Sequence, residues 1–248
     1  FLKYITRDKS VLGSTLTIGR HEDNLLNPYR WINPKTGLRE KYCEPILIQE
    51  FKSSIVDSVD ASNYENATFI QDLNKPLTCE ELLIKKYKTI LDFGTLEHIF
   101  NIPQALNSIA NACEIGGKII HVQVHSDFSG HGFYQFSPEL FFSWYSKENG
   151  FENVEIFIVP YCNPNLWFRC LKTKNGDRCE LSGRRVPHSY ILVKANKVKD
   201  LENRKCMQSD YLDTWSKSKN KNNNLNYKES LFFKLKKLIP YIIKIKIK

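Results

Sequence analysis

Residues 87–126 read YKTILDFGTLEHIFNIPQALNSIANACEIGGKIIHVQVHS, and few folds accommodate such a stretch. The apolar run Thr89–Phe93 ends in Gly94 and the polar cluster Thr95, Glu97 and His98. From Pro103 to Cys113, apolar residues recur at Ala105, Leu106, Ile109, Ala110 and Cys113, the spacing of one helix face. Gly116-Gly117 stops that pattern, and a second apolar run, Lys118–Val124, follows at once. Strand, helix and strand in about forty residues is the length of a βαβ crossover, which joins parallel neighbours. A parallel sheet is covered on both faces and binds ligands beyond the carboxyl ends of its strands. Thr95–His98 falls at one such end.

The rest of the chain supplies further strands. Ser14–Ile18, closed by Gly19, reads as the first. Residues 20–39 read as a loop over a pocket, and Glu40–Phe51 as a helix with Pro45 near its first turn. Ile55–Val59 is a second strand ending in Asp60, and Ala67–Ile70 a third ending in Asp72. Cys79–Tyr87 reads as a short amphipathic helix. After the loop DFSGHGFYQF, Ser137-Pro138-Glu139 starts a helix to about Lys147, because serine caps an orphan N–H and proline has none to satisfy. Val154–Val159 is a sixth strand, and residues 160–185 read as an insertion. Val186–Lys194 follows without a crossover helix, so an antiparallel seventh strand is expected.

The fold class expected is therefore α/β: a Rossmann-like, doubly wound, seven-stranded sheet with an antiparallel last strand, spanning residues 1–194. The net charge of +9 is misleading until divided. Lys194–Lys248 holds 15 Lys+Arg against 5 Asp+Glu, leaving 21 against 22 for Phe1–Val193. The body is close to neutral, so charge gives no reason to expect nucleic-acid binding by it. Residues 195–230 read as a polar flexible linker, and residues 231–248 as a basic amphipathic segment with strand-like alternation in IIKIKIK. That segment suits peripheral contact with an anionic membrane. Seven cysteines with irregular spacing fit reduced thiols, and the start FLKYITRDKS has no apolar signal core, so a cytoplasmic protein is expected, peripheral at the inner membrane face if the tail binds there.

In the order of its motifs the chain resembles the class I S-adenosylmethionine-dependent methyltransferases, in particular the small-molecule "methyltransferase domain" type. The resemblance runs from Val11 to Lys194. It is densest in FGTLEHIFNIPQALNSIANACEIGGKIIHV, with VDASNYENATFIQDLN as the second and third strand ends. It implies S-adenosyl-L-methionine as cofactor, held by Asp60 at the ribose and by Asp72 and Leu73 beside the adenine. Gly19, Arg20 and Gly94 would line the same cleft. The first loop, IGRHEDN, departs from the family's usual glycine run: only Gly19 remains. Glycine lets backbone approach a ligand closely, so this loop bears directly on cofactor binding.

On the acceptor side the candidates are His98 and Glu97 at the fourth strand end, with His131 and Tyr134 from GHGFYQF. His98 is the expected general base, since imidazole titrates near neutrality. Each candidate also has a plain structural role available: Asp at strand ends forms turns, Glu97 and His98 suit a helix start, and aromatic loops pack on the body. No metal is expected. His121 and His125 lie about 13 Å apart along a strand, and Cys162, Cys170 and Cys179 form no CxxC pair. GxSxG, P-loop and HExxH motifs are all absent. The expected activity is methyl transfer to an oxygen or nitrogen of a small molecule, with a saccharide as one acceptor class. The alternatives are a non-catalytic binding domain with a degenerate cofactor loop, and an RNA methyltransferase anchored by the basic tail.

Overall fold

The computed structural model describes residues 1–7, 11–22, 32–38, 40–172, 188–212, 215–216 and, for the backbone alone, 242–246. The strands are β1 (Gly13–Ile18), β2 (Ser53–Asp60), β3 (Phe69–Ile70), β4 (Tyr87–Phe93), β5 (Cys113–Ser126), β6 (Phe151–Pro160), β7 (Leu166–Cys170), β8 (Ser189–Lys197) and β9 (Ile242–Lys246). The helices are α1 (Leu2–Ile5), α2 (Glu44–Gln49), α3 (Glu80–Ile84), α4 (Ile102–Ala112) and α5 (Pro138–Trp144).

All nine strands form one sheet in the order β3-β2-β1-β4-β5-β8-β6-β7-β9. β3, β2, β1, β4 and β5 are parallel neighbours. β8 runs antiparallel between β5 and β6. The expected doubly wound sheet with an antiparallel last strand is present, extended by β7 and β9 at one edge. The order turns back between β1 and β4, the switch point at which such sheets bind ligands. Register brings the tips level there: Ile18 pairs with Val59 on one side and Asp92 on the other.

Helices cover both faces. On one, α3, α4 and α5 bury Leu82, Leu106, Ile109 and Phe141 against Leu16, Ile90, Ile119 and Ile156. On the other, Leu2, Ile5, Ile46 and Leu47 of α1 and α2 meet Leu91, Phe93 and Ile120. α4 starts where its apolar period predicts, with the Asn101 side chain accepting from the Gln104 amide at 3.4 Å. Its last turn is closed from a distance: the fully buried Lys197 ammonium donates to the carbonyls of Ala110 and Cys113, each at 2.7 Å, and pairs with Asp200. Those carbonyls have no intrahelical partner, so the lysine supplies what the chain end lacks.

Several boundaries differ from expectation. The helix over Cys79–Tyr87 is only α3, because Tyr87 is drawn into β4, where its hydroxyl donates to buried Asp57 at 2.7 Å. The helix expected over Glu40–Phe51 is α2, which starts only where Pro45 can occupy its first turn. The third strand shrinks to two residues, and α5 ends at Trp144, short of Lys147. Residues 160–185, read as an insertion, contain β7; residues 173–187 lie outside the described set.

The body also extends past Lys194. Val198 donates to the Gly150 carbonyl, and the Asn149 side chain brackets Lys205 with bonds of 2.8 and 3.0 Å. Ser209 donates to Glu139 at 2.7 Å. The first part of the expected linker is thus held by backbone hydrogen bonds that its polar composition does not reveal. Of the tail segment only β9 is described. It pairs with β7 as a strand, in keeping with the alternation of IIKIKIK.

Candidate functional site

Gly19 leaves β1 with φ +79°, and its amide donates to the Val59 carbonyl at 2.8 Å. A Cβ there would stand 2.6 Å from Thr95 Oγ1, which itself donates to the Ile18 carbonyl at 2.6 Å. The single glycine that survives in the first loop therefore answers to Thr95, which ties the tips of β1 and β4 together. Arg20 is engaged within the protein. Its Nε bonds Glu44 at 2.7 Å, its Nη1 bonds the carbonyls of Glu65 and Asn66 at 2.8 Å, and its guanidinium covers the Tyr42 ring. It acts as a strap between the first loop, α2 and the β2–β3 connection rather than as a free cofactor ligand. Asp23 and Asn24 of the same loop lie outside the described residues.

Asp60 sits half-buried at the tip of β2, its Oδ1 3.4 Å from the Ser62 amide. Asp72 has the turn-forming role: Oδ1 accepts from both the amide and the side chain of Asn74 at 2.9 Å, and Oδ2 lies 3.5 Å from Lys75. The Asn74 bonds, and then Lys75, hold its carboxyl below the ordinary range. The Leu73 side chain is packed into the main core, so only its backbone remains to face a ligand.

One residue of this half went unread in the sequence. His21 is 6% exposed, packs 5.7 Å from Phe93, and its Nε2 has no partner among the described residues. Burial lowers its pKa, against the pull of Asp92 and of a hydrogen bond to Ile18. The neutral ring donates from its other nitrogen and leaves Nε2 as a buried acceptor. Its only sequence signal was a polar side chain two places after the loop glycine.

Glu97 and His98 lie in a single 3₁₀ turn, Leu96–His98, that continues β4 beyond Gly94. Glu97 is 1% exposed, and its Oε2 has no hydrogen-bond partner among the described residues. Burial, and secondarily Asp92, push its carboxyl from 4.5 up to about 7, against its own backbone hydrogen bond. The loop after β5 closes on it. Phe133 N–H donates to the Glu97 carbonyl at 2.6 Å, and Gly132, at φ +70°, lies so close that a Cβ would stand 2.6 Å from the same oxygen. That contact carries His131 to the carboxylate, Nε2 to Oε1 3.5 Å, and sets its ring edge-on to His98 with centroids 5.0 Å apart. Burial and the neighbouring His131 lower the His98 pKa. All three expected catalytic residues are thereby assembled, although Glu97, not His98, is the one most altered by its surroundings.

Tyr134 is placed otherwise than expected. Its hydroxyl donates to the Phe100 carbonyl at 2.9 Å, so it fastens the loop, and the exposed rings of Phe100 and Phe133 form the rim. Of the histidines weighed for metal, His121 is buried between Asp92 (2.7 Å) and Tyr145 (2.5 Å), while His125 Nδ1 donates to the Phe136 carbonyl at 2.7 Å. Among the described residues, the cluster that could hold a metal ion is Glu97, His98 and His131, whose ligand atoms all lie within 4.8 Å of one another.

No family model and no curated protein matches the chain. Among solved structures it is similar to TehB from Haemophilus influenzae, at 12% identity and TM-score 0.45, covering 79% of this chain and 61% of that one. It is similar to an O-methyltransferase of a trans-AT PKS multienzyme from Brevibacillus brevis in complex with S-adenosyl-L-homocysteine, at 11% identity and TM-score 0.47, covering 89% and 76%. It is also similar to the N-methyltransferase NodS from Bradyrhizobium japonicum, likewise in complex with S-adenosyl-L-homocysteine, at 9% identity and TM-score 0.42, covering 80% and 84%. The chain thus spans less than two thirds of the TehB chain. At these identities and scores no residue equivalence follows. No helix among the described residues is long and apolar enough to cross a membrane.

Proposed function

We propose that the chain is an enzyme that transfers a methyl group from S-adenosylmethionine to an oxygen or nitrogen of a small molecule. The observation that carries the reading is the position of Glu97: a buried carboxyl, raised to about 7, just beyond the switch-point end of β4, while β2 on the other side of β1 ends in the half-buried Asp60. The two ends of such a cleft ask for different chemistry. Asp60 suits the ribose diol, as a carboxylate at a strand tip does in dinucleotide folds. The orphaned acceptor His21 Nε2 suits an ammonium, and the Gly19 backbone a close approach. The cofactor supplies an already activated methyl, which leaves positioning and proton handling to the protein. Glu97 takes the acceptor's proton at Oε2, His131 stands by the resulting acid, and the loop 127–136 keeps water out.

The acceptor class within this reading is a hydroxyl-bearing small molecule. A saccharide is favoured by the exposed Phe100 and Phe133 rings, whose faces can cover the apolar side of a sugar. Contact of residues 231–248 with an anionic membrane would place the enzyme near lipid-linked acceptors; the tail's mixture of lysines and apolar residues is what supports it. Calorimetric titration with S-adenosylmethionine and S-adenosylhomocysteine tests the central claim. Both should bind one to one, and Asp60→Ala should weaken them by about tenfold or more. Absence of binding by the intact chain would overturn it.

A second reading, a non-catalytic domain of the same fold, is favoured by the Arg20 strap across the first loop. It expects no binding in the wild type and binding gained in Arg20→Ala.

A further inference from the structure

We infer that Glu97, His98 and His131 form a binding site for a divalent first-row transition metal ion, zinc above all. Three observations converge. The donor set is two imidazoles and one carboxylate, a combination that suits zinc, iron, cobalt and nickel rather than magnesium or calcium. The ligand atoms lie within 4.8 Å of one another, and four-coordinate zinc needs its ligand atoms about 3.4 Å apart. His98 and His131 are exposed, so modest side-chain rotation closes that gap. The third observation is Glu97 Oε2, buried and without a partner among the described residues. A carboxylate in that position calls for a proton, hydrogen-bond donors or a cation, and His131 at 3.5 Å from Oε1 is beyond a good hydrogen bond.

The surrounding chain is built to hold this trio together. Gly132 and the Phe133 amide clamp the histidine-bearing loop to the Glu97 backbone, so His131 is positioned by main-chain contacts rather than by its own side chain. Gly94 leaves the space beside Oε1 clear, since even a methyl there would stand 3.2 Å from it. Three protein ligands leave one position open toward the cleft, the arrangement of reactive rather than structural zinc sites. With the Glu97 carboxylate engaged as a ligand, the ion would take over its part in proton removal: an acceptor hydroxyl bound there would lose its proton to solvent. That role rests on the methyl-transfer reading; ion binding itself does not.

The test uses the full chain freed of metal with EDTA. Zinc chloride is titrated calorimetrically, and cobalt chloride is followed by visible absorption. One ion should bind per chain, with cobalt bands of nitrogen and oxygen ligation. His131→Ala, at an exposed position, should weaken binding roughly tenfold or more. Glu97→Gln should do likewise while retaining the native circular dichroism. Failure to bind zinc one to one, undiminished affinity in both variants, or a thiolate-to-cobalt charge-transfer band would each overturn the inference. S-adenosylhomocysteine affinity, measured on the same metal-free protein, reports separately on the cofactor reading.

Discussion

The Phe133 amide donates to the Glu97 carbonyl at 2.6 Å, and this bond between residues 36 positions apart joins the β4 tip to the loop that follows β5. The approach of His131 to Glu97 and His98 depends on it. The bond requires a backbone approach that only glycine at position 132 allows, at φ +70° and with 2.6 Å between a hypothetical Cβ and the carbonyl oxygen.

Gly132→Ala should therefore push the loop away from Glu97. We expect a stability loss of roughly 1–3 kcal/mol and, under the proposed function, at least a tenfold fall in methyl transfer with S-adenosylhomocysteine affinity unchanged within about twofold. Chemical denaturation, steady-state kinetics and calorimetry read the three quantities. Equal loss of cofactor affinity would show that the loop supports the whole cleft and not its acceptor half.

Glu97 should make the metal-free protein less stable as pH rises. Its carboxyl titrates at about 7 when folded against an ordinary 4.5, so between those values the folded chain holds a proton that the unfolded chain has released. Glu97's share of the unfolding free energy then falls with pH across that window and levels off on either side, by about 3 kcal/mol in all, against His21 and His98, whose lowered pKa values act the other way. Glu97→Gln should remove that contribution, so the difference between the two proteins isolates it. Urea titrations in EDTA from pH 4 to 8, on both proteins, measure it. Under the proposed methyl transfer with Glu97 as base, the rate of the metal-free protein should climb as pH passes about 7.

Beneath the site, Asp92 accepts from His121 and from Gln123, each at 2.7 Å, and His121 Nε2 meets Tyr145 Oη at 2.5 Å, all of them buried. Tyr145→Phe strands a ring nitrogen and should cost about 1–3 kcal/mol. Asp92→Ala removes the centre of the network and should cost roughly 3–5 kcal/mol. Thermal unfolding of both variants distinguishes this ordering from a merely steric role, which would make Tyr145→Phe neutral.

Lys197→Met keeps the length of the buried chain but leaves the Ala110 and Cys113 carbonyls unsatisfied. A loss of roughly 2–4 kcal/mol is expected, with earlier hydrogen exchange at the end of α4 than elsewhere. A neutral outcome would mean that water takes over those carbonyls.

What could be read from the sequence follows from locality. β4, α4 and β5 announce themselves because apolar period, proline, glycine and spacing act within forty residues. Ser137 caps α5 as expected, its hydroxyl accepting from the Glu139 amide at 3.1 Å. Asp60, Glu97 and His98 could be placed at one end of the sheet because each follows the end of an apolar run. What escaped is set by partners far away in sequence. β7 was hidden in the stretch read as an insertion because its strand character comes from pairing with β6 and β9. His21 and the tie between Gly19 and Thr95 are visible only once β1 and β4 are neighbours. The raised Glu97 carboxyl needs the loop 127–136 above it, and no local pattern records that burial. Arg20 looked like a ligand because its partners, Glu44, Glu65 and Asn66, come from two other segments.

The position of β8 sets a timetable for synthesis. It lies between β5 and β6, yet its residues, 189–197, are translated after both. Until they emerge, β5 has an unpaired edge and β6 has no link to the parallel half of the sheet. At roughly ten residues per second the ribosome leaves that edge open for several seconds. Nascent chains halted before residue 189 should therefore be the form of this protein that chaperones hold, and release should follow the arrival of Lys197 at α4.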